Sequence, residues 1–196
     1  MPAKPETTTV STPKRDHLLD TAFRLFYRDG YHAVGIDTIL AEAKLAKMTL
    51  YHHFASKEEL IVAVLDRRSG QVRAGRDAAI AKAGNSPRKR FLAVFDFYAA
   101  WFESRDFNGC AFIRAAAEYT ELDSPVHQAV VRQKQAMIDT LVGLLTALDV
   151  RSPSAIAQQV FLLLEGAIVS AHTFGDASSA ERARDAALAL VAAAQK

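Results

Sequence analysis

The residues best equipped for chemistry lie together in Lys47-Met48-Thr49-Leu50-Tyr51-His52-His53. This stretch offers an ammonium, a phenol and two imidazoles on what its spacing reads as one short helix. Leu45, Leu50 and Phe54 can point inward together, which leaves Lys47, Met48, Tyr51 and His52 facing out. An exposed helix face carrying a cation, an aromatic ring and imidazoles is well supplied to read a nucleic-acid groove. The adjacent His52-His53 pair does not read as a metal site, because neighbouring residues on a helix point in different directions and no third ligand is evident.

Enzyme chemistry finds no comparable support. There is no Ser-His-Asp, P-loop, dinucleotide or zinc motif, and no helix carries a Glu-x-x-His pair. The expectation is a non-enzyme without a cofactor or metal. Cys110 is the only cysteine, which excludes an intrachain disulfide and a cysteine-cluster zinc site. It fits a reducing, cytoplasmic setting and reads as a small buried hydrophobe rather than a redox switch. Residues 1–13 are polar and lack an apolar core, so they read as a flexible tail rather than a signal peptide or membrane span.

The flanking elements must position the outward-facing groups. Over residues 14–29, Leu18, Leu19, Ala22, Phe23 and Phe26 keep helical spacing, and Gly30 ends the helix. Residues 36–43 repeat the pattern with Ile36, Ile39, Leu40 and Ala43, behind an N-cap at Gly35. Lys44, Leu45 and Ala46 form a short joint before 47–53. A supporting helix, two short helices and a three-residue turn make a helix-turn-helix. Charge adds nothing to this case: the first 60 residues hold eight Lys/Arg against eight Asp/Glu, and the whole chain carries only +2. A basic footprint is therefore missing, and geometry must carry the argument.

Ser56 reads as the cap of a long fourth helix, with Glu58 and Glu59 in its first turn. Leu60, Ile61, Val64 and Leu65 turn inward before the sequence becomes polar over 67–77, and Gly84-Asn85-Ser86-Pro87 is a break. Helices are expected over 88–103, 110–122, 124–148, 152–174 and 180–194, with no run of strand alternation. The fold class is all-α, with about nine helices: a helix-turn-helix domain over 14–60 and a helical effector-binding and dimerisation domain over 61–196.

Phe91, Phe95, Phe97, Tyr98, Trp101 and Phe102 crowd one of these helices more densely than packing requires. A small-molecule sensor needs a wide apolar pocket with a few polar groups. Tyr98, Trp101, Phe102, Cys110 and Phe112, with Glu118 or His172 as polar handles, are the expected lining; plain core is the alternative. In the last two helices, Ile156, Val160, Leu163, Leu164, Ala167 and Ile168 form an apolar band, and Ala183, Ala186, Ala187, Leu190 and Ala194 keep helical spacing with small side chains. Paired across a two-fold axis, 152–174 and 180–194 would form a four-helix homodimer interface; the alternative is that both simply cap the core.

At 45–60, LAKMTLYHHFASKEEL, the chain resembles the tetracycline-repressor (TetR) family. Leu50-Tyr51-x-x-Phe54 followed by Ser56-Lys57-Glu58-Glu59-Leu60 carries the likeness, and Phe26, Gly30 and Tyr31 extend it upstream. Gly109-Cys110 with Ala115-Ala116-Ala117-Glu118 is similar to the effector domains of some subfamilies. The resemblance implies that Lys47, Met48, Tyr51 and His52 touch base edges or thymine methyls, and that Thr49, His53 and Lys57 grip phosphates. Chemistry agrees, since Lys donates to guanine O6 and N7 and Met or Tyr packs on a thymine methyl. Lys57 near a helix N-terminus suits a backbone phosphate.

The family further implies a cytoplasmic homodimer on a pseudo-palindromic operator, a repressor released by a small hydrophobic effector, with no membrane partner. A helical carrier or adaptor without DNA binding is the rival reading, and it leaves the Tyr51-His52-His53 face unexplained. Three positions depart from the family: Lys44 where glycine is usual, Ala46 where Ser or Thr often caps, and Met48 where glycine is common. Operator preference is therefore not transferable.

Overall fold

A computed structural model describes residues 12–195, within which there are nine α-helices and no strand. The chain divides into two compact units between Val64 and Leu65. The first holds α1 (Pro13–Asp29), α2 (Ile36–Ala43), α3 (Lys47–His53) and the opening turns of α4 (Lys57–Lys82). Thr12 and Pro13, read from sequence as part of a tail, instead start α1: the Thr12 hydroxyl accepts from Arg15 N–H at 3.3 Å and Pro13 opens the first turn. The remainder of that tail, 1–11, lies outside the described residues.

Gly30 ends α1 at φ 96°, where its own N–H still reaches the Phe26 carbonyl. Leu18, Leu19, Phe26, Ile39, Leu50, Phe54 and Leu60 close over one another as a small core, with the rings of Phe26 and Tyr31 stacked at 5.2 Å. His17 on α1 donates from Nε2 to the Ala43 carbonyl at 3.0 Å, satisfying an orphan acceptor at the end of α2.

The turn between α2 and α3 keeps its geometry despite its residues. Lys44 sits in the left-handed region at φ 54°, held by Leu45 N–H to Leu40 O at 3.1 Å and Lys44 N–H to Ala41 O at 3.3 Å. Ala46, at the N-cap of α3, gives no side-chain hydrogen bond. Intact apolar contacts carry the unit through both losses. Lys44→Gly relieves the strained φ and is expected to raise stability by about 0.5–1 kcal/mol, since the left-handed penalty outweighs glycine's added chain entropy. Thermal unfolding with far-UV circular dichroism measures it; an unchanged or lower melting temperature would show that the Lys44 side chain compensates.

The second unit contains the rest of α4 with α5 (Pro87–Phe102), α6 (Ala111–Glu118), α7 (Pro125–Ala147), α8 (Pro153–Phe174) and α9 (Ser179–Ala194). Its core runs through Phe91, Phe95, Met137, Leu141, Leu145, Val160, Leu164 and Ala187. Helix α6 is shorter than the sequence suggests, ending at Glu118 instead of 122. The first turn of α7 takes the carbonyls that would continue it: His127 Nδ1 donates to Tyr119 O at 2.9 Å and Gln128 Nε2 to Leu122 O at 2.6 Å.

The apolar faces of α8 and α9 also need correcting. Val160, Leu164, Ala167 and Ile168, with Ala183 and Ala187, are buried within the chain itself, because α8 packs on α7 and α9, and α9 on α5. They therefore cannot meet a second copy. The outward side of α8 instead carries Leu162, 68 % exposed, and Val169, 49 % exposed, while Ala186, Ala189 and Ala193 are exposed on α9.

Candidate nucleic-acid interface and effector site

Helix α3 spans only seven residues, about 10 Å of axis, and has two distinct sides. Leu50 is fully buried and Phe54 nearly so. That anchoring turns Lys47, Met48, Tyr51 and His52 outward as one patch, since positions one turn apart share a face. Met48 is 80 % exposed and Tyr51 47 %, unusual for side chains with this much apolar area to lose from water. Lys47 leans toward Asp37 at 3.6 Å with both groups in solvent; such a pair is weak and yields readily to a stronger acceptor.

Thr49 and His53 flank the patch half-buried. The His53 ring meets His52 edge-on at 5.0 Å and leans on Phe54. Its pKa is pushed down, first by burial and then by the nearby His52 and Arg15. Near neutral pH it is therefore an uncharged imidazole able to donate one N–H.

Lys57, the first residue of α4, donates from Nζ to the His32 carbonyl at 3.2 Å, which ties that helix start to the α1–α2 connection. The Ser56 hydroxyl accepts from Glu59 N–H at 3.1 Å, and the Glu59 carboxylate accepts from Ala55 N–H at 2.7 Å. This reciprocal cap fixes where the N-terminus of α4 points. Sequence reasoning missed Arg15, whose guanidinium lies 5.3 Å over the Phe54 ring from α1; nothing in a surface arginine's local sequence marks a partner so distant along the chain.

The residues expected to line an effector pocket separate into two groups. Tyr98, Phe102 and Phe112 are buried in the core. Trp101 is half-buried and meets Phe107 edge-on at 4.9 Å. Burial pushes the Tyr98 phenol upward in pKa, Cys110 and Glu165 add to the rise, and Arg76 opposes it. Glu118 is half-buried at the last position of α6.

Cys110 and His172, by contrast, share a cavity of about 280 Å³ with Asn108, Ile113 and Arg114. Gly109 stands there at φ 75°, a conformation that strains any side chain, and a Cβ would lie 3.0 Å from the His172 ring. A second groove of about 390 Å³ runs between α6, α7 and α8, walled by Ile113, Val130, Val131, Ile138 and Phe161. Lys134 and Glu165 pair across it at 2.7 Å. Neither charge stood out in the sequence. Among the described residues no three His, Cys, Asp or Glu side chains gather as a metal site.

Comparison with known proteins agrees with this geometry. Residues 18–64 match the family model for bacterial regulatory proteins of the tetR family, and 87–187 match the tetracyclin repressor-like C-terminal domain. A crystal structure of a TetR-family transcriptional regulator from Streptomyces coelicolor superposes with a TM-score of 0.87 at 34% identity, covering 93% of this chain and 96% of that one. The HTH-type transcriptional regulator YjdC of Escherichia coli is 25% identical over 155 residues, 79% of this chain and 81% of its own. The HTH-type transcriptional repressor NemR of the same species is 27% identical over 128 residues, 65% of this chain and 64% of its own.

Proposed function

This chain belongs to the tetR family of bacterial regulatory proteins, and from that premise we propose a cytoplasmic repressor that holds a pseudo-palindromic operator as a homodimer and releases it on binding a small effector. The observation that carries this reading is the α3 face, where Lys47, Met48, Tyr51 and His52 project together over a buried Leu50. Base edges are read by Lys47 and His52 through hydrogen bonds and by Met48 and Tyr51 through thymine methyl contact; Thr49, His53 and Lys57 hold the phosphates on either side. Repression is the direction implied by the family resemblance, and the likeness to the repressor NemR supports it.

The dimer is assigned to the outward side of α8 and α9. Helix α8 is unusually apolar for its length, and apolar side chains left outside the core favour further cover. Its own chain covers one side; Leu162 and Val169, beside the small residues of α9, suit a second copy meeting it across a two-fold axis. The two α3 helices then enter successive major grooves about 34–36 Å apart. An effector bound among α5–α8 acts through α4, whose backbone runs from one unit into the other, and changes that separation.

The test is a titration of the full chain into the duplex upstream of its own coding region and into a scrambled duplex, at two salt concentrations. Binding at least about a hundredfold tighter to the natural duplex is expected. Equal, steeply salt-dependent binding to both would reduce the interaction to phosphate contact, and a monomeric protein indifferent to either duplex would support the carrier reading instead.

A further inference from the structure

Arg76 is the anomaly of the second unit. Its side chain is 4 % exposed, and the carboxylate it meets, Asp77, is itself 55 % exposed. Nε and Nη2 both donate to the same Asp77 oxygen, at 3.3 and 3.1 Å. Nη1 donates instead to the Met137 thioether sulfur at 3.2 Å. Sulfur is a weak acceptor, and a buried guanidinium short of good acceptors is costly to keep.

Lys134 repeats the pattern one turn away on α7. Its ammonium pairs with Glu165 and spends a further donor on Cys110 Sγ at 3.7 Å. Lys134 and Met137 are neighbours on one helical face, and the buried Tyr98 phenol feels Arg76, Cys110 and Glu165 together. Groups from α4, α5, the start of α6, α7 and α8 thus converge, with two cations aiming donors at sulfur. The Lys134 end opens on the apolar groove of about 390 Å³. Met137, unbranched and adaptable, is buried beside Arg76, one helical turn from Lys134 on α7.

We propose that the effector is an organic carboxylate with an apolar body, whose oxygens replace the Met137 and Cys110 sulfurs as acceptors for Arg76 and Lys134. The inference rests on the regulator reading only for the word effector; the site itself stands on the second unit. A carboxylate offers two strong acceptors to the two donors, while an amine would bring a third cation beside Arg76 and Lys134, with Glu165 already engaged by Lys134. A neutral head group leaves Arg76 with the half-exposed Asp77 as its counter-charge. The apolar body lies along Ile113, Val130, Ile138 and Phe161.

The experiment compares 2-naphthoate, 2-naphthylmethanol and 2-naphthylmethylamine, binding the full chain by calorimetry, in wild type, Arg76→Met and Lys134→Met. The acid is expected to bind about tenfold or more tighter than the alcohol, with the amine weakest, and each substitution erases that preference. Unliganded Arg76→Met is expected to melt at or above the wild-type temperature, because replacing a buried charge by an apolar group of similar shape removes its desolvation cost.

Equal binding of acid and alcohol, an unchanged preference in Arg76→Met, or a variant melting well below wild type would overturn the proposal, the last by making Arg76 a structural group. Duplex titration of the same samples separates the two readings. Specific duplex binding without preference for the acid removes the carboxylate site alone. Preference for the acid in a protein that ignores both duplexes removes the regulator and leaves the site.

Discussion

Replacing Tyr51 and His52 together with alanine is expected to lower affinity about thirty- to twenty-five-thousand-fold per operator half-site, because each base-directed side chain contributes about 1–3 kcal/mol of discrimination. Both side chains lie on the solvent side of α3, so their removal leaves no cavity, and the melting temperature should stay within a few degrees. Residual binding is expected to be much less selective and more salt-dependent, since only Lys47 and Met48 remain to read bases while Thr49, His53 and Lys57 still meet phosphates. Fluorescence anisotropy with natural and scrambled duplexes reads both effects. A double variant that separates the two duplexes as strongly as wild type would remove Tyr51 and His52 from base recognition.

The second large effect is expected from Leu162→Glu combined with Val169→Glu. Both side chains stand on the outward side of α8 at 68 % and 49 % exposure, so within one chain the carboxylates stay in solvent and the fold tolerates them. Across a two-fold axis each would face its own copy, placing like charges in an apolar contact. Sedimentation should show a monomer. Affinity for the full operator should fall about 10²–10⁴-fold, the loss expected when two linked binding events become independent, while affinity for an isolated half-site changes little. A dimer that survives both charges would place the interface on another surface.

Much of the DNA-binding unit is legible along the chain because each decision there is local. Leu18, Leu19, Ala22 and Phe26 repeat with the helical period, Gly30 stops the helix, and Leu50 and Phe54 fix which side of α3 is dry. A seven-residue helix with two inward anchors leaves its remaining side chains little choice. Even the departures could be read: Lys44 takes the left-handed conformation in the position where the resemblance implies glycine, and Ala46 leaves α3 without a side-chain cap.

The effector unit yields less, for a physical reason visible in particular residues. Helix α8 is apolar on both sides, so its periodicity cannot separate Val160 and Leu164, which enter the core, from Leu162 and Val169, which leave it. The end of α6 is set by His127 and Gln128, which reach carbonyls several residues back along the chain. Arg76 sits in a stretch that reads as a solvated face; burial comes from α7, whose Met137 lies 61 residues away in sequence. By itself the sequence determined the helices, their approximate ends and the exposed face of α3, because those depend on neighbours within a turn or two. Only tertiary structure decided which apolar side of α8 stays in solvent and which charges are buried, because packing between distant segments, rather than residue type, sets exposure to water.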